Sequence, residues 1–179
     1  GNDTWLEVFN PSEDPIELEE YGIGVYSTDG ELEESHFMRG TLEPCETYVV
    51  ADCQAGGAIA ALADQTICLT VEDHQSVALI NGDVPLDVIG DPEDQSFVGY
   101  TIAGPDGPVA LTDRTFIRNN DIDCPETDWT ISRTQWKVYP NGYENNIGNH
   151  GSICSTQPTV NFSQTSYSCL EDDCGAVQL

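Results

Sequence analysis

Basic residues are nearly missing from this chain. Five Lys and Arg stand against 32 Asp and Glu in 179 residues, a formal charge of −27, and that balance excludes nucleic acid as a partner, because phosphate binding requires clustered Lys and Arg. Anionic membrane surfaces are disfavoured for the same reason. The charge leaves open solubility in a saline medium, divalent-cation binding, or attraction to a basic partner. No apolar run is long enough to cross a bilayer, so membrane insertion is not expected, and no signal sequence is visible, so the chain reads as a mature or excised segment. No CxxC pair accompanies the seven cysteines, which argues against zinc and for oxidised disulfides in an extracellular or cell-surface setting. Seven is odd, so at least one thiol stays free or pairs outside the chain.

Catalytic signatures are absent as well. The chain has no G-x-S-x-G elbow and no HExxH, and Gly22-Ile23-Gly24 lacks the third glycine and the following helix of a phosphate loop. The three histidines, His36, His74 and His150, sit beside no activated thiol. A non-enzymatic role is therefore expected. EF-hand spacing is missing too, so a Ca²⁺ site would have to come from acidic loops supplying six to eight oxygens. The densest candidates are Asp91, Glu93 and Asp94, then Asp121 and Asp123, and Glu171, Asp172 and Asp173. Nothing requires a cofactor, and Ca²⁺ is the one ion these loops suggest.

What is present is β-patterned. Trp5, Glu7 and Phe9 alternate with Leu6 and Val8 as a strand, Asn10-Pro11-Ser12 stops it, and Ile16, Leu18 and Tyr21 resume the apolar rhythm. Asp29-Gly30 signals a turn, Phe37 and Met38 return to the core, and Cys45 to Ala51 reads as a strand. One short helix is expected near residues 55–63, bracketed by Cys53 and Cys68, whose bridge would close a loop worth roughly 3 kcal/mol. Cys169 and Cys174 are a second candidate pair, and Cys45, Cys124 and Cys154 have no partner assigned by spacing. Asn81-Gly82 between two apolar runs predicts a hairpin. Arg114 and Arg118, at even spacing on one strand face, suggest a structural ion pair. Trp5, Trp129 and Trp136 are expected in the core rather than on an exposed sugar-binding platform. Asn2 and Asn161 head glycosylation sequons.

Several of these stretches carry a family likeness. W-L-E-V-F-N-P with I-E-L-E-E-Y-G-I, then L-E-P-C-E-T-Y-V-V, then S-V-A-L-I-N-G-D-V-P-L-D-V-I-G with Asp87 and Gly90 in place, resemble the lamin-tail domain. Thr115 to Arg118 matches its T-L-x-R, Trp129 to Trp136 its W…S…E-W with Gln135 in place of the acid, and Asn146 to His150 its closing L-G-x-H. Cys45 replaces a glycine of the pattern, which implies a disulfide added at that bend. The resemblance implies an all-β immunoglobulin-like sandwich over residues 1–154, serving as a structural or adhesive module. Such domains also accompany secreted hydrolases and nucleases, and a Ca²⁺-dependent adhesion module is a further alternative. Residues 155–179 read as a linker and a strand-like tail, with Thr159, Val160, Phe162 and Tyr167, that resembles the first strand of a Calx-β domain.

The lamin-tail pattern begins with an apolar strand ahead of the Trp5 strand, and Gly1-Asn2-Asp3-Thr4 does not supply it. The resemblance thus implies an open edge beside Trp5 and Val8. Donation of the Thr159–Ser168 tail to the next copy's edge would build a head-to-tail oligomer or filament, which the odd cysteine could lock. Other extracellular modules are the alternative partners.

Overall fold

The computed structural model describes residues 4–71, 75–91, 101–104, 107–110, 114–122 and 124–150. In chain order the strands are β1 (Trp5–Phe9), β2 (Ile16–Glu17), β3 (Tyr21–Tyr26), β4 (Leu32–Phe37), β5 (Thr41–Leu42), β6 (Thr47–Asp52), β7 (Gln65–Ile67), β8 (Ser76–Asn81), β9 (Val84–Ile89), β10 (Thr101–Gly104), β11 (Gly107–Ala110), β12 (Arg114–Arg118) and β13 (Trp136–Pro140). Two single-turn helices, α1 (Gly57–Ala60) and α2 (Trp129–Ser132), interrupt them. The result is an all-β sandwich with little helix, as the strand patterning implied.

One sheet runs β1-β6-β7 and the other β4-β3-β8-β9, with β12 and β13 paired as a separate hairpin. Val8 and Val50 from the first sheet share one apolar cluster with Ile23, Val25, Leu79 and Val88 from the second. β6 and β7 are parallel, so the chain must cross over between them, and α1 lies in that crossover. Cys53 and Cys68 each follow the end of one of these strands, and their disulfide, with Cα atoms 4.7 Å apart, staples the two ends together. Buried Asp52 reinforces the join by accepting from the main-chain N–H of Gln54 at 2.8 Å and of Leu69 at 2.9 Å.

The hairpin at Asn81 forms, with a difference. Asn81 pairs with Val84, so the central residues are Gly82 and Asp83, and only Gly82 takes positive φ, at 59°. That is the pattern of a type II′ turn, in which glycine leads, and not the Asn-Gly type I′ turn. β4 was hidden in an acidic stretch because an edge strand tolerates charge on its exposed residues. Phe37, expected in the core, is 42% exposed at its end, while Met38 is buried.

Cys45 adopts φ 64°, the left-handed region that a glycine would occupy without cost. Its N–H donates to Asn10 O at 2.9 Å, and its thiol is disulfide-bonded, as is that of Cys124. Cys154, Cys169 and Cys174, the sequons at Asn2 and Asn161, and the tail residues Thr159, Val160, Phe162 and Tyr167 lie outside the described residues. No described helix is long and apolar enough to cross a membrane.

Candidate functional site

Two groups of residues stand out, one sealed in the core and one opening on a cavity. The sealed group assembles residues far apart in sequence. Asp87 on β9 and Arg118 at the end of β12 are both fully buried and form an ion pair between Oδ2 and Nη1. Arg118 Nη2 donates to Gln135 Oε1, and its guanidinium carbon lies 4.9 Å from the centre of the Trp136 ring. The second Asp87 oxygen accepts from Glu126 N and Val88 N, each at 3.1 Å. Ser132 of α2 donates to Val88 O at 3.1 Å and accepts from Trp136 Nε1 at 3.3 Å. Arg114, expected in the same ionic arrangement, is exposed and takes part in no ion pair among the described residues. Strand geometry explains the difference: Arg118 ends β12 against β9, whereas Arg114 begins it at the rim.

The cavity has a volume of about 500 Å³, and its lining includes Trp5, Leu6, Glu7 and Phe9 of β1, all of β12, Ile59, Ile89 and residues of the 141–150 turn. β1 and β12 are both outermost strands in their sheets among the described residues. Asp52 N donates to Thr4 O at 2.9 Å and Asn10 N to Glu46 O at 3.0 Å. In this antiparallel pair, therefore, Thr4, Leu6, Val8 and Asn10 turn their main-chain groups to β6. Trp5, Glu7 and Phe9 turn theirs away, and no main-chain hydrogen bond meets them among the described residues. The same reasoning applies to β12. Asn119 N donates to Gln135 O at 2.8 Å, and Pro140 opposite Arg114 has no N–H, so Thr115 and Ile117 face β13. Arg114, Phe116 and Arg118 direct their N–H and C=O groups away from the hairpin, again without main-chain partners among the described residues.

Glu7 projects into this cavity. Burial pushes its carboxyl up to about 7, a shift that hydrogen bonds from the N–H groups of Gly148, at 2.6 Å to Oε2, and Asn149 partly offset. His150 packs on Phe9 with ring centroids 4.6 Å apart, so the closing histidine has a packing role. Trp129 and Trp136 are buried as expected. Trp5 is not: it is half-buried and lines the cavity, because the odd-numbered face of β1 looks away from the main core.

A pH dependence follows from Glu7. The carboxyl titrates near 4.5 when unfolded and near about 7 when folded, so the folded state holds an extra proton between those values. This group's contribution to stability is greatest below about pH 4.5, falls as pH rises to 7, and levels off lower by on the order of 2–3 kcal/mol, the group being partly in water. Glu7→Gln should match the parent near pH 4.5 and exceed its stability at pH 8, measured by urea unfolding across that range.

Asp121 is exposed on the turn after β12, while Asp123, Glu171, Asp172 and Asp173 lie outside the described residues. Among the described residues no cluster of three His, Cys, Asp or Glu could hold a metal ion. Comparison with known proteins finds no family model, no curated protein and no solved structure that matches this chain.

Proposed function

We propose that this chain is a non-enzymatic extracellular structural module of lamin-tail type whose working part is a strand-acceptor slot between β1 and β12. The observation that carries the reading is that one cavity is lined by the residues of two strands whose main-chain groups lack main-chain partners among the described residues: Trp5, Glu7 and Phe9 of β1, and Arg114, Phe116 and Arg118 of β12. An extended segment lying between two strands hydrogen-bonds to both at spacings of about 4.7–4.9 Å, so it would satisfy both walls at once. Disulfides at Cys53–Cys68, Cys45 and Cys124 support an oxidising compartment.

The proposed occupant is the Thr159–Tyr167 segment of a second copy. From Ser155 to Leu170 the chain carries no charged side chain, although the protein as a whole bears −27. A neutral strand can enter the slot of an acidic neighbour without like-charge repulsion. Because donor and acceptor surfaces differ, the contact is head to tail and propagates into a filament unless it closes into a ring. Sedimentation velocity provides the test. The full chain should form concentration-dependent oligomers, and removal of residues 156–179 should leave a folded monomer. A full chain that remains monomeric at high concentration overturns strand donation, whether its tail is free or lies in its own slot.

A further inference from the structure

We infer that Arg114 selects the direction of the incoming strand, by pairing with the acidic run Glu171-Asp172-Asp173 of the neighbouring copy, so that the donor runs antiparallel to β12. The inference rests on the strand-acceptor reading and adds to it a partner group and a polarity.

Charge accounting across the slot leads to Arg114. Only two of the five basic residues line the cavity, Arg114 and Arg118. Arg118 is buried and already neutralises Asp87, so its charge is spent. Arg114 is exposed, enters no ion pair among the described residues, and stands at the start of β12, at one end of the slot. Glu7 and Glu144 line the same cavity, and neither pairs with Arg114 among the described residues, so the guanidinium keeps its charge available.

The donor segment supplies the complement. Its neutral stretch ends at Leu170, and Glu171, Asp172 and Asp173 are the only charged residues from Ser155 to Leu179. β12 spans five residues, a length that Thr159–Tyr167 more than covers at roughly 3.3 Å per residue. The acids then emerge just beyond one end of the slot. If the donor runs antiparallel to β12, that end is the Arg114 end, and a guanidinium meets three carboxylates. If it runs parallel, the acids emerge beyond Arg118, where exposed Asp121 follows and no uncommitted cation lines the slot. Attraction at one end and repulsion at the other fix the polarity, the usual division of labour between pairing and like-charge exclusion.

A charge-reversal cycle on the full chain, read by sedimentation at 50 mM salt, provides the test. Arg114→Glu should weaken association about tenfold in the parent. In a chain carrying Glu171→Lys, Asp172→Lys and Asp173→Lys, the same Arg114→Glu change should strengthen it. That change of sign is diagnostic, because added negative charge acting through overall repulsion weakens association in both backgrounds. Arg133→Glu, outside the slot, serves as the control. If Arg114→Glu weakens both backgrounds, or does no more than Arg133→Glu, the Arg114 inference fails while strand donation stands. If the parent itself stays monomeric, both fail together.

Discussion

Arg118→Ala should cost about 3–5 kcal/mol of folding stability, the largest loss expected from any single replacement. Truncation leaves Asp87 fully buried without the Arg118 cation, while the Glu126 and Val88 N–H groups still donate to its other oxygen. It also removes the cation over Trp136 and a donor to Gln135, so the hairpin β12–β13 loses its attachment to β9. Arg118→Lys should fall between parent and Ala, since one ammonium cannot reach Asp87 and Gln135 in the forked geometry of a guanidinium. Pairing Arg118→Met with Asp87→Leu should recover much of the loss, because it removes both charges together. Urea midpoints of the four chains measure this, and a cost below 1 kcal/mol for Arg118→Ala would contradict a buried ionic anchor. The anchor also bears on the slot, since one of its walls is the strand that Arg118 ends.

Asn10→Ala should cost about 2–4 kcal/mol, because four hydrogen bonds converge on one fully buried amide. Its Nδ2 donates to Asp14 O at 2.9 Å and Leu42 O at 3.0 Å, and its Oδ1 accepts from Ser12 N at 2.9 Å and Ser12 Oγ at 2.7 Å. The side chain thereby shapes the turn after β1 and ties it to β5. Asn10→Asp should be worse than Ala at neutral pH, since a carboxylate would face two carbonyl oxygens in a buried site, and it should recover on acidification. Thermal unfolding of both variants at pH 5 and pH 8 separates the two effects.

The parts of the fold legible in sequence were those with a local signature. The Trp5 strand, the hairpin at Gly82, the α1 turn and the Cys53–Cys68 bridge each follow from a short pattern of apolar alternation, turn residues or loop closure. Cys45 is a case in which substitution in a pattern was informative: the position needs left-handed backbone, and the chain takes a strained cysteine there in order to place a disulfide. β4 was not legible, because its acids conceal the alternation of a strand whose residues are half-buried and exposed in turn. Nor was the place of Trp5, since period-two alternation assigns a residue to a face without saying which face meets the main core. The cavity could not be foreseen at all. It arises from two strands, β1 and β12, separated by more than a hundred residues, whose edges line one space, and no local pattern encodes that juxtaposition.

Amide hydrogen exchange, read residue by residue in dilute and in concentrated full-length protein, tests the strand-acceptor slot most directly. The account predicts alternation. Leu6, Val8, Thr115 and Ile117, whose N–H groups face β6 or β13, should exchange slowly at both concentrations. Trp5, Glu7, Arg114 and Phe116, whose residues are not fully buried, should exchange quickly in the dilute sample and become protected in the concentrated one. Slot amides that remain fast after assembly, or protection that ignores the odd-even alternation, would contradict the account.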